Sequence, residues 1–444
     1  MTLRPLVQAL FQPARAVSWP ARARRAAIRQ ISAPALLFAF VIGLLVPAAA
    51  ATPNHGSNAL LDTFRREGLA AIDEEIHTAI AQSIIVGGVL WVERNGVAYH
   101  KAFGLRAKVP VAEAMTEDTI FDVASITKAV AATSAAMLCV ERGLLRLDDA
   151  VSQYLPEFTD EGREKITIRH LLLHTSGLPV NLDPQTESFH NLTEAVAQAG
   201  RKKPAFVPGS AYAYSSVAFM VLGAVIERAS GRSLDEFCAA EIFRPLQMSD
   251  TGFRPTGDRL RRVAPTSAPA RGLVDDKMAR AMGGVAGHAS LFTTTSDLAR
   301  FARMMLNLGE LDGVRIFRAE TVKLMSSVQT PPSLMTPRGG NSPVRRGLGW
   351  NIESPYGAPP NDQTFQRGAL FPISSYGHAG WTGQMLWIDP SSRTFIIFLC
   401  NRYHGGATEP PLAAYRLHQR LSTLAGRAVK EFDFKPASAA QPGK

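Results

Sequence analysis

Phe121-Asp122-Val123-Ala124-Ser125-Ile126-Thr127-Lys128 runs into Ala129-Val130-Ala131-Ala132-Thr133-Ser134-Ala135-Ala136-Met137-Leu138-Cys139-Val140, which is apolar or small on nearly every side. That composition predicts a buried helix ending near Gly143. Ser125 is the only serine of the chain with a lysine three positions later. Three positions is close to one helical turn, so a helix beginning at Ser125 sets the hydroxyl and the Lys128 amine on one face. A lysine near the start of a buried helix needs a partner or a task. An amine held beside a hydroxyl in a half-dry cleft can lose its proton and become the base that makes serine a nucleophile. The plain alternative is a serine capping a helix with a surface lysine one turn on, and S-x-x-K alone does not exclude it.

The elements on either side of this helix set the fold class. Upstream, residues 58–81 alternate charge with Leu60, Leu61, Phe64, Leu69, Ile72, Ile76 and Ile80, which predicts an amphipathic helix. Residues 84–92 and 97–103 are β-rich and joined by Glu93-Arg94-Asn95-Gly96, a strong hairpin signal. Downstream, 166–173 reads as a helix ending at His174-Thr175-Ser176-Gly177-Leu178-Pro179, and 216–230, 233–243 and 296–308 carry helical patterns. Proline, glycine and polar residues between 330 and 375 predict loops, or the rim of a cleft. Strands resume at 383–389 and 394–401 around Asp389-Pro390-Ser391-Ser392-Arg393, before a closing amphipathic helix at 412–424. No internal repeat is present. The expectation is an α/β protein of the α+β type, an antiparallel sheet flanked by helices. One lobe joins 58–120 to 345–430, and a mainly helical lobe, about 121–344, is inserted in it. The nucleophile helix falls at their junction, where active-site clefts are common.

The chain has 444 residues, 46% of them hydrophobic, and a mean hydropathy of +0.00, ample for a large core. Its net charge of +10 owes six units to arginines in residues 1–51, which hold no acid, leaving +4 for the remainder. No basic stripe with interleaved aromatics occurs, which argues against a nucleic-acid partner. Cys139, Cys238 and Cys400 lie far apart in apolar stretches and read as buried thiols. Residues 1–51 read as a secretory signal: arginines to Arg29, an apolar stretch at 34–46, then alanines 48–51 with an A-x-A cleavage site. Export across a bacterial inner membrane, to a periplasmic or secreted location, is expected. The rival is an uncleaved membrane anchor. Residues 431–444 read as a disordered tail.

Serine hydrolases of the α/β type carry G-x-S-x-G, and no serine here is so flanked. Instead the mature chain resembles the penicillin-binding and class C β-lactamase-like serine hydrolases. The resemblance rests on ordered motifs: the Ser125 to Lys128 stretch; ITIRHLLLHTSGLP at 166–179; Pro208-Gly209 with Tyr214-Ser215-Ser216, similar to Y-x-N; and Gly377-His378-Ala379-Gly380, similar to K-T-G or H-x-G. It implies a β-lactamase/transpeptidase-like fold over 58–430.

The resemblance further implies that Ser125, Lys128 and Tyr214 are catalytic, and that Ser216, His378, Gly380 and Trp381 meet the substrate, with the Ser125 and Trp381 amides as oxyanion hole. Tyr214 could act as a base only with cations nearby to hold its phenolate. Ser216 replaces the usual asparagine and offers one short hydroxyl where an amide has a donor and an acceptor. His378 to Gly380 is expected as an edge strand along which substrate lies. His378 stands where lysine attracts a substrate carboxylate, and its reference pKa of ~6.5 predicts carboxylate binding that strengthens as pH falls. Arg345 or Arg346 could supply the missing charge. His170 and His174 are four apart but lack the carboxylate of a helical metal motif, and His288 lies in a glycine-rich stretch read as flexible backbone. No metal or cofactor is expected.

These readings converge on an exported serine hydrolase working through an acyl-enzyme. Its expected substrate is a small ester, a β-lactam or a peptidoglycan peptide, with esterase or D-Ala-D-Ala carboxypeptidase-like activity and weak β-lactamase activity. The other class of answer is a non-turnover penicillin-binding sensor that acylates without releasing product. The deacylating E-x-x-L-N of class A β-lactamases is absent.

Overall fold

The structure, a computed structural model, describes residues 55–267, 270–335, 343–353, 366–404 and 411–434. The expected signal and most of the expected tail lie outside them. Of residues 431–434, assigned to the tail, Phe432 and Phe434 are packed: Phe434 is buried and meets Phe371 edge-on at 5.5 Å between ring centres.

The strands in chain order are β1 (Gly87–Arg94), β2 (Val97–Ala107), β3 (Glu113–Ala114), β4 (Phe121–Asp122), β5 (Phe292–Thr293), β6 (Glu310–Leu311), β7 (Val314–Arg315), β8 (Arg345–Arg346), β9 (Asn351–Glu353), β10 (Tyr376–Gly380), β11 (Gln384–Asp389) and β12 (Thr394–Cys400). Eight of them form an antiparallel sheet in the order β3-β2-β1-β12-β11-β10-β9-β8. The strands near both ends of the chain meet where β1 pairs with β12. This is the sheet built from both termini that the sequence predicts.

Local chemistry fixes both hairpins. Asn95 and Gly96 take φ of 50° and 82°, the left-handed pair a two-residue turn requires, so Arg94 faces Val97. Asp389 closes the second hairpin by accepting from the Ser391 and Ser392 amides and hydroxyls.

Alternation along the central strands gives the sheet two buried faces. Leu90, Val92, Trp387, Ile396 and Phe398 pack with Ile72 and Ile76 of helix Arg66–Ala81 and with Leu417 and Leu421 of helix Pro411–Ala428. On the other face Val89, Leu386, Ile397 and Leu399 join the core of the helical layer, with Phe301 and Met305 of helix Thr295–Leu306.

Three expectations are revised. The helix expected over 58–81 is two helices, His55–Thr63 and Arg66–Ala81, because Phe64 leaves the helical path to bridge Val429. The stretch expected as loops contains β8 and β9, too short to show a periodicity. Strand β10 is not the outermost strand of the sheet. Among the described residues, however, β9 pairs with it only at Gly377, so His378 to Gly380 have a strand partner on one side alone.

Candidate active site

The buried carboxylate of Asp122 shapes the entry to the nucleophile helix. It accepts from the Ala124 amide at 2.9 Å and from the Asp275 amide at 2.8 Å. Burial lifts its pKa to about 7. Ala124 adopts φ of 45°, a left-handed conformation that costs a residue with a Cβ about 1 kcal/mol or more. Consecutive three-residue turns follow, with the Ile126, Thr127 and Lys128 amides donating to the Val123, Ala124 and Ser125 carbonyls. The helix then widens into a π-helical segment, Lys128–Thr133, before becoming regular at Ser134–Glu141. The sequence predicts a plain helix from Ser125. The observed tight entry and wide first turn still bring Lys128 Nζ to 3.1 Å from Ser125 Oγ, and π-turns recur at functional sites.

Lys128 is fully buried. Its Nζ also donates to the His288 carbonyl at 2.7 Å and reaches Ser216 Oγ at 3.5 Å. It lies 5.0 Å from the centre of the Tyr214 ring. Burial brings its pKa down to about 7; Asp276 works against the fall and Arg346 adds to it. At that value a large share of the amine is neutral at physiological pH, with a lone pair able to accept the Ser125 proton.

His288 therefore contributes through its main chain, and the loop carrying it, expected as flexible backbone, is closely packed. Its imidazole is buried and Nε2 lies 3.0 Å from Asp276. A Cβ on the neighbouring Gly287 would come within 2.3 Å of the Phe219 carbonyl, so the loop is pressed against helix Ser216–Ser230.

The tyrosine motif divides its labour. Ser215 caps helix Ser216–Ser230, accepting from the Ala218 amide at 2.9 Å and donating to the Pro179 carbonyl at 2.6 Å. Ser216 points its hydroxyl toward Lys128. Tyr214 stacks on His174 with ring centres 4.3 Å apart. His174 ends helix Ile168–Leu173 in a left-handed conformation, φ 58°, and its Nδ1 accepts from the Ser215 amide at 3.0 Å. His170 instead completes a capping box with Thr167. The two histidines spaced like metal ligands thus serve different ends of one short helix.

Across the cleft, β10 is locked to the nucleophile turn. Thr382 Oγ1 and Gln384 Nε2 donate to the Asp122 carbonyl at 3.1 and 3.2 Å. Gly380 lies so close that a Cβ there would stand 2.6 Å from the Val123 carbonyl. Trp381, which follows it, is 46% exposed at the mouth.

The expected titration of His378 is overturned. The ring is buried, and burial together with Arg346 and Lys128 holds its pKa well below the ordinary imidazole value. It is neutral across the physiological range, and carboxylate binding cannot strengthen through its protonation there. Of the two arginines considered as a substitute charge, Arg346 is the one that acts on Lys128 and His378.

Ser125, Tyr214, Ser216, His378 and Trp381 line one cleft of about 490 Å³. Lys128 lies behind its wall, and Gly380 backs onto the nucleophile turn. Asp276 was not assigned a site role from the sequence, His174 was read only as part of the 166–179 motif, and Arg346 was raised only as a substitute charge; three-dimensional proximity is what brings all three to Lys128. Among the described residues no group of three or more His, Cys, Asp or Glu side chains could hold a metal ion.

This arrangement agrees with what the chain is similar to. Residues 72–421 match the family model described as Beta-lactamase. A relative from Escherichia coli (strain K12), named "Putative D-alanyl-D-alanine carboxypeptidase", is 30% identical over 74% of this chain and 82% of its own length. Two solved structures superpose with a TM-score of 0.62 each. "EstCE1, a hydrolase with promiscuous acyltransferase activity" is 23% identical, covering 81% of this chain and 99% of that one. "A class C beta-lactamase" is 20% identical, covering 79% and 95%. With a family model spanning most of its length and a fold to match, the chain belongs to the beta-lactamase family of hydrolases.

Proposed function

We propose that this protein is an exported serine hydrolase that forms an acyl-enzyme on Ser125 and releases it with water, acting on an ester or a cell-wall-peptide amide and only weakly on β-lactams. The observation that carries the reading is the fully buried Lys128 amine, 3.1 Å from Ser125 Oγ and with a pKa near neutrality. Neutral Lys128 takes the Ser125 proton as Oγ bonds to the substrate carbonyl carbon. The charge that develops on the carbonyl oxygen is met by the Ser125 and Trp381 amides. The proton then passes by way of Lys128 and Tyr214 to the leaving group as its bond to carbon breaks. Water attacks the acyl ester, gives up a proton to the same pair, and Ser125 recovers its hydrogen.

Two substrate classes fit. The relative's name points to peptides ending in D-Ala-D-Ala, and the buried Arg346 beside Lys128 and His378 offers positive potential for a terminal carboxylate. The neutral His378 and the Ser216 hydroxyl point to uncharged esters. The test is stopped-flow hydrolysis of p-nitrophenyl acetate alongside nitrocefin and a D-Ala-D-Ala peptide. Steady turnover after any burst, with the best ester or peptide exceeding nitrocefin in kcat/KM, is expected. A stoichiometric burst without turnover on every substrate would make the protein a sensor.

A further inference from the structure

We propose that Asp276 and His288 are positioning residues that complete the nucleophile and base: Asp276 braces His288, whose carbonyl holds the Lys128 amine, and the Asp276 carboxylate balances the ammonium formed when Lys128 takes the Ser125 proton. The inference rests on the acyl-enzyme reading and extends it beyond the residues that touch the reacting atoms.

A nucleophile and its base work best when a further group orients the base. A neutral amine has two hydrogens and one lone pair. The His288 carbonyl, 2.7 Å from Lys128 Nζ, can only accept, so it engages one of those hydrogens. The lone pair is thereby left for the Ser125 hydroxyl at 3.1 Å. Where that carbonyl is held decides where the lone pair points.

The stretch carrying the carbonyl is tied down on both sides. The Leu291 amide donates to Thr127 Oγ1 at 3.1 Å, and the Leu291 carbonyl accepts from the Val123 amide at 2.9 Å, so it is fastened to the nucleophile turn. Before it, the Ala286 amide donates to Ser290 Oγ at 3.1 Å. Between these ties the His288 ring is 1% exposed, and its Nε2 lies 3.0 Å from Asp276 Oδ1. Asp276 is itself fixed, accepting from the Ala279 amide at 2.8 Å as the cap of helix Lys277–Ala281.

Charge links the carboxylate to the amine in both directions. Burial raises the Asp276 carboxyl, but His288, the Ala279 amide and Lys128 outweigh it and hold the group ionised, below the usual carboxylate range. Asp276 in turn favours the charged form of Lys128 against burial and Arg346. The other groups around the amine are the Ser125 and Ser216 hydroxyls and the Tyr214 and Phe219 rings. The buried rings of His174 and His378 feel its charge, and both are held neutral. Among these described groups Asp276 is the one anion. An anion already in place when Lys128 becomes an ammonium stabilises it with no reorganisation at the moment of reaction.

Asp276→Asn separates charge from bracing, because asparagine caps a helix as well as aspartate does and keeps an oxygen for His288. With p-nitrophenyl acetate, kcat/KM of this variant should fall roughly ten- to a hundred-fold. The midpoint of its rising pH limb should lie below that of the wild type by about half a unit or more, since the anion that favoured the ammonium is gone. A carboxylate that merely caps a helix leaves the midpoint where it was, and that result overturns the proposal. The bracing is read from His288→Leu, which removes the N–H aimed at Asp276, and His288→Gln, which restores one. In the leucine variant kcat should fall roughly ten-fold or more with KM little changed, and the glutamine variant should recover most of the loss, at circular dichroism equal to wild type. Wild-type kcat in His288→Leu, or a glutamine variant no better than the leucine one, overturns the proposal too. So does an Asp276→Asn chain that fails to fold, because Asp276 would then be structural. If the wild type neither hydrolyses esters nor is labelled on Ser125 by a fluorophosphonate, the acyl-enzyme reading itself has failed, a different outcome from any of these.

Discussion

Lys128 places function and stability in opposition at a single residue. An amine whose pKa falls from 10.5 to about 7 on folding binds its proton more weakly in the folded than in the unfolded chain. The native state is therefore penalised by up to roughly 3 to 5 kcal/mol, fully below pH 7 and progressively less as pH rises from 7 towards 10.5. Lys128→Met removes that penalty, less what the unmet His288 carbonyl gives back. Its melting temperature should exceed wild type by more at pH 6.5 than at pH 10, while acylation slows by about 10² to 10⁴. An equal gain at both pH values would show that the amine is not desolvated. With Lys128 as the base, kcat/KM of the wild type should rise as pH increases through about 7 and level off above, since the neutral amine is the active form. A midpoint near 10 in the pH profile would contradict the buried environment. At this scale the S-x-x-K pair was legible in the sequence because its partners are one turn apart. Asp276 was not, and Arg346 was raised only as one of two possible charges and not as a neighbour of Lys128, both being over a hundred residues from it. The charge state of His378 was misjudged because a reference pKa describes a ring in water, and this one is buried beside two cations.

The elements matter through how closely they approach. In the proposed mechanism, strand β10 must pass the nucleophile turn at backbone distance for the Trp381 amide to share an oxyanion with the Ser125 amide. Gly380 is what permits it. In Gly380→Ala the new Cβ would meet the Val123 carbonyl at 2.6 Å and push the strand outward. A shift of about 1 Å can cost roughly a hundred-fold in rate. We expect kcat to fall by about that factor with KM little changed and circular dichroism unaltered; wild-type kcat would remove β10 from the oxyanion site. The hairpins and long helices were readable because Asn-Gly turns and apolar spacings are local signals. The π-helical turn at Lys128–Thr133 was hidden, since its residues suit an α-helix equally well. Strands of two or three residues such as β8 and β9 owe their existence to the sheet they join and not to their own composition.

Between the sheet and the helical layer, packing is joined by a buried ion pair. Glu93 on β1 accepts from Arg303 Nε and Nη2 at 2.7 Å each, and its carboxylate is 2% exposed. Arg303 belongs to helix Thr295–Leu306. Arg303→Met leaves a buried carboxylate without its cation and should destabilise the protein by about 2 to 4 kcal/mol, discounted because the guanidinium is half-buried. The double variant Glu93→Gln with Arg303→Met should recover much of that loss. Urea denaturation measures both, and a single variant as stable as wild type would show the pair to be incidental. The proposed export belongs to this scale too. Cleavage at or just before Thr52 should leave about 393 of the 444 residues, recovered with the periplasmic fraction. N-terminal sequencing that begins near Met1, in protein released only by detergent, would replace export by anchoring. The two-ended sheet was legible in the sequence because strand signals cluster near both ends of the chain. Which helices cover which face was not, because that depends on contacts between residues hundreds of positions apart.

The central claim is that Ser125 carries the acyl group. Intact-mass and peptide mass spectrometry after brief reaction with a fluorophosphonate tests it most directly. One adduct per chain is predicted, on the peptide containing Ser125, and none in Ser125→Ala at equal circular dichroism. An adduct on another residue, or the same labelling in Ser125→Ala, would contradict the account.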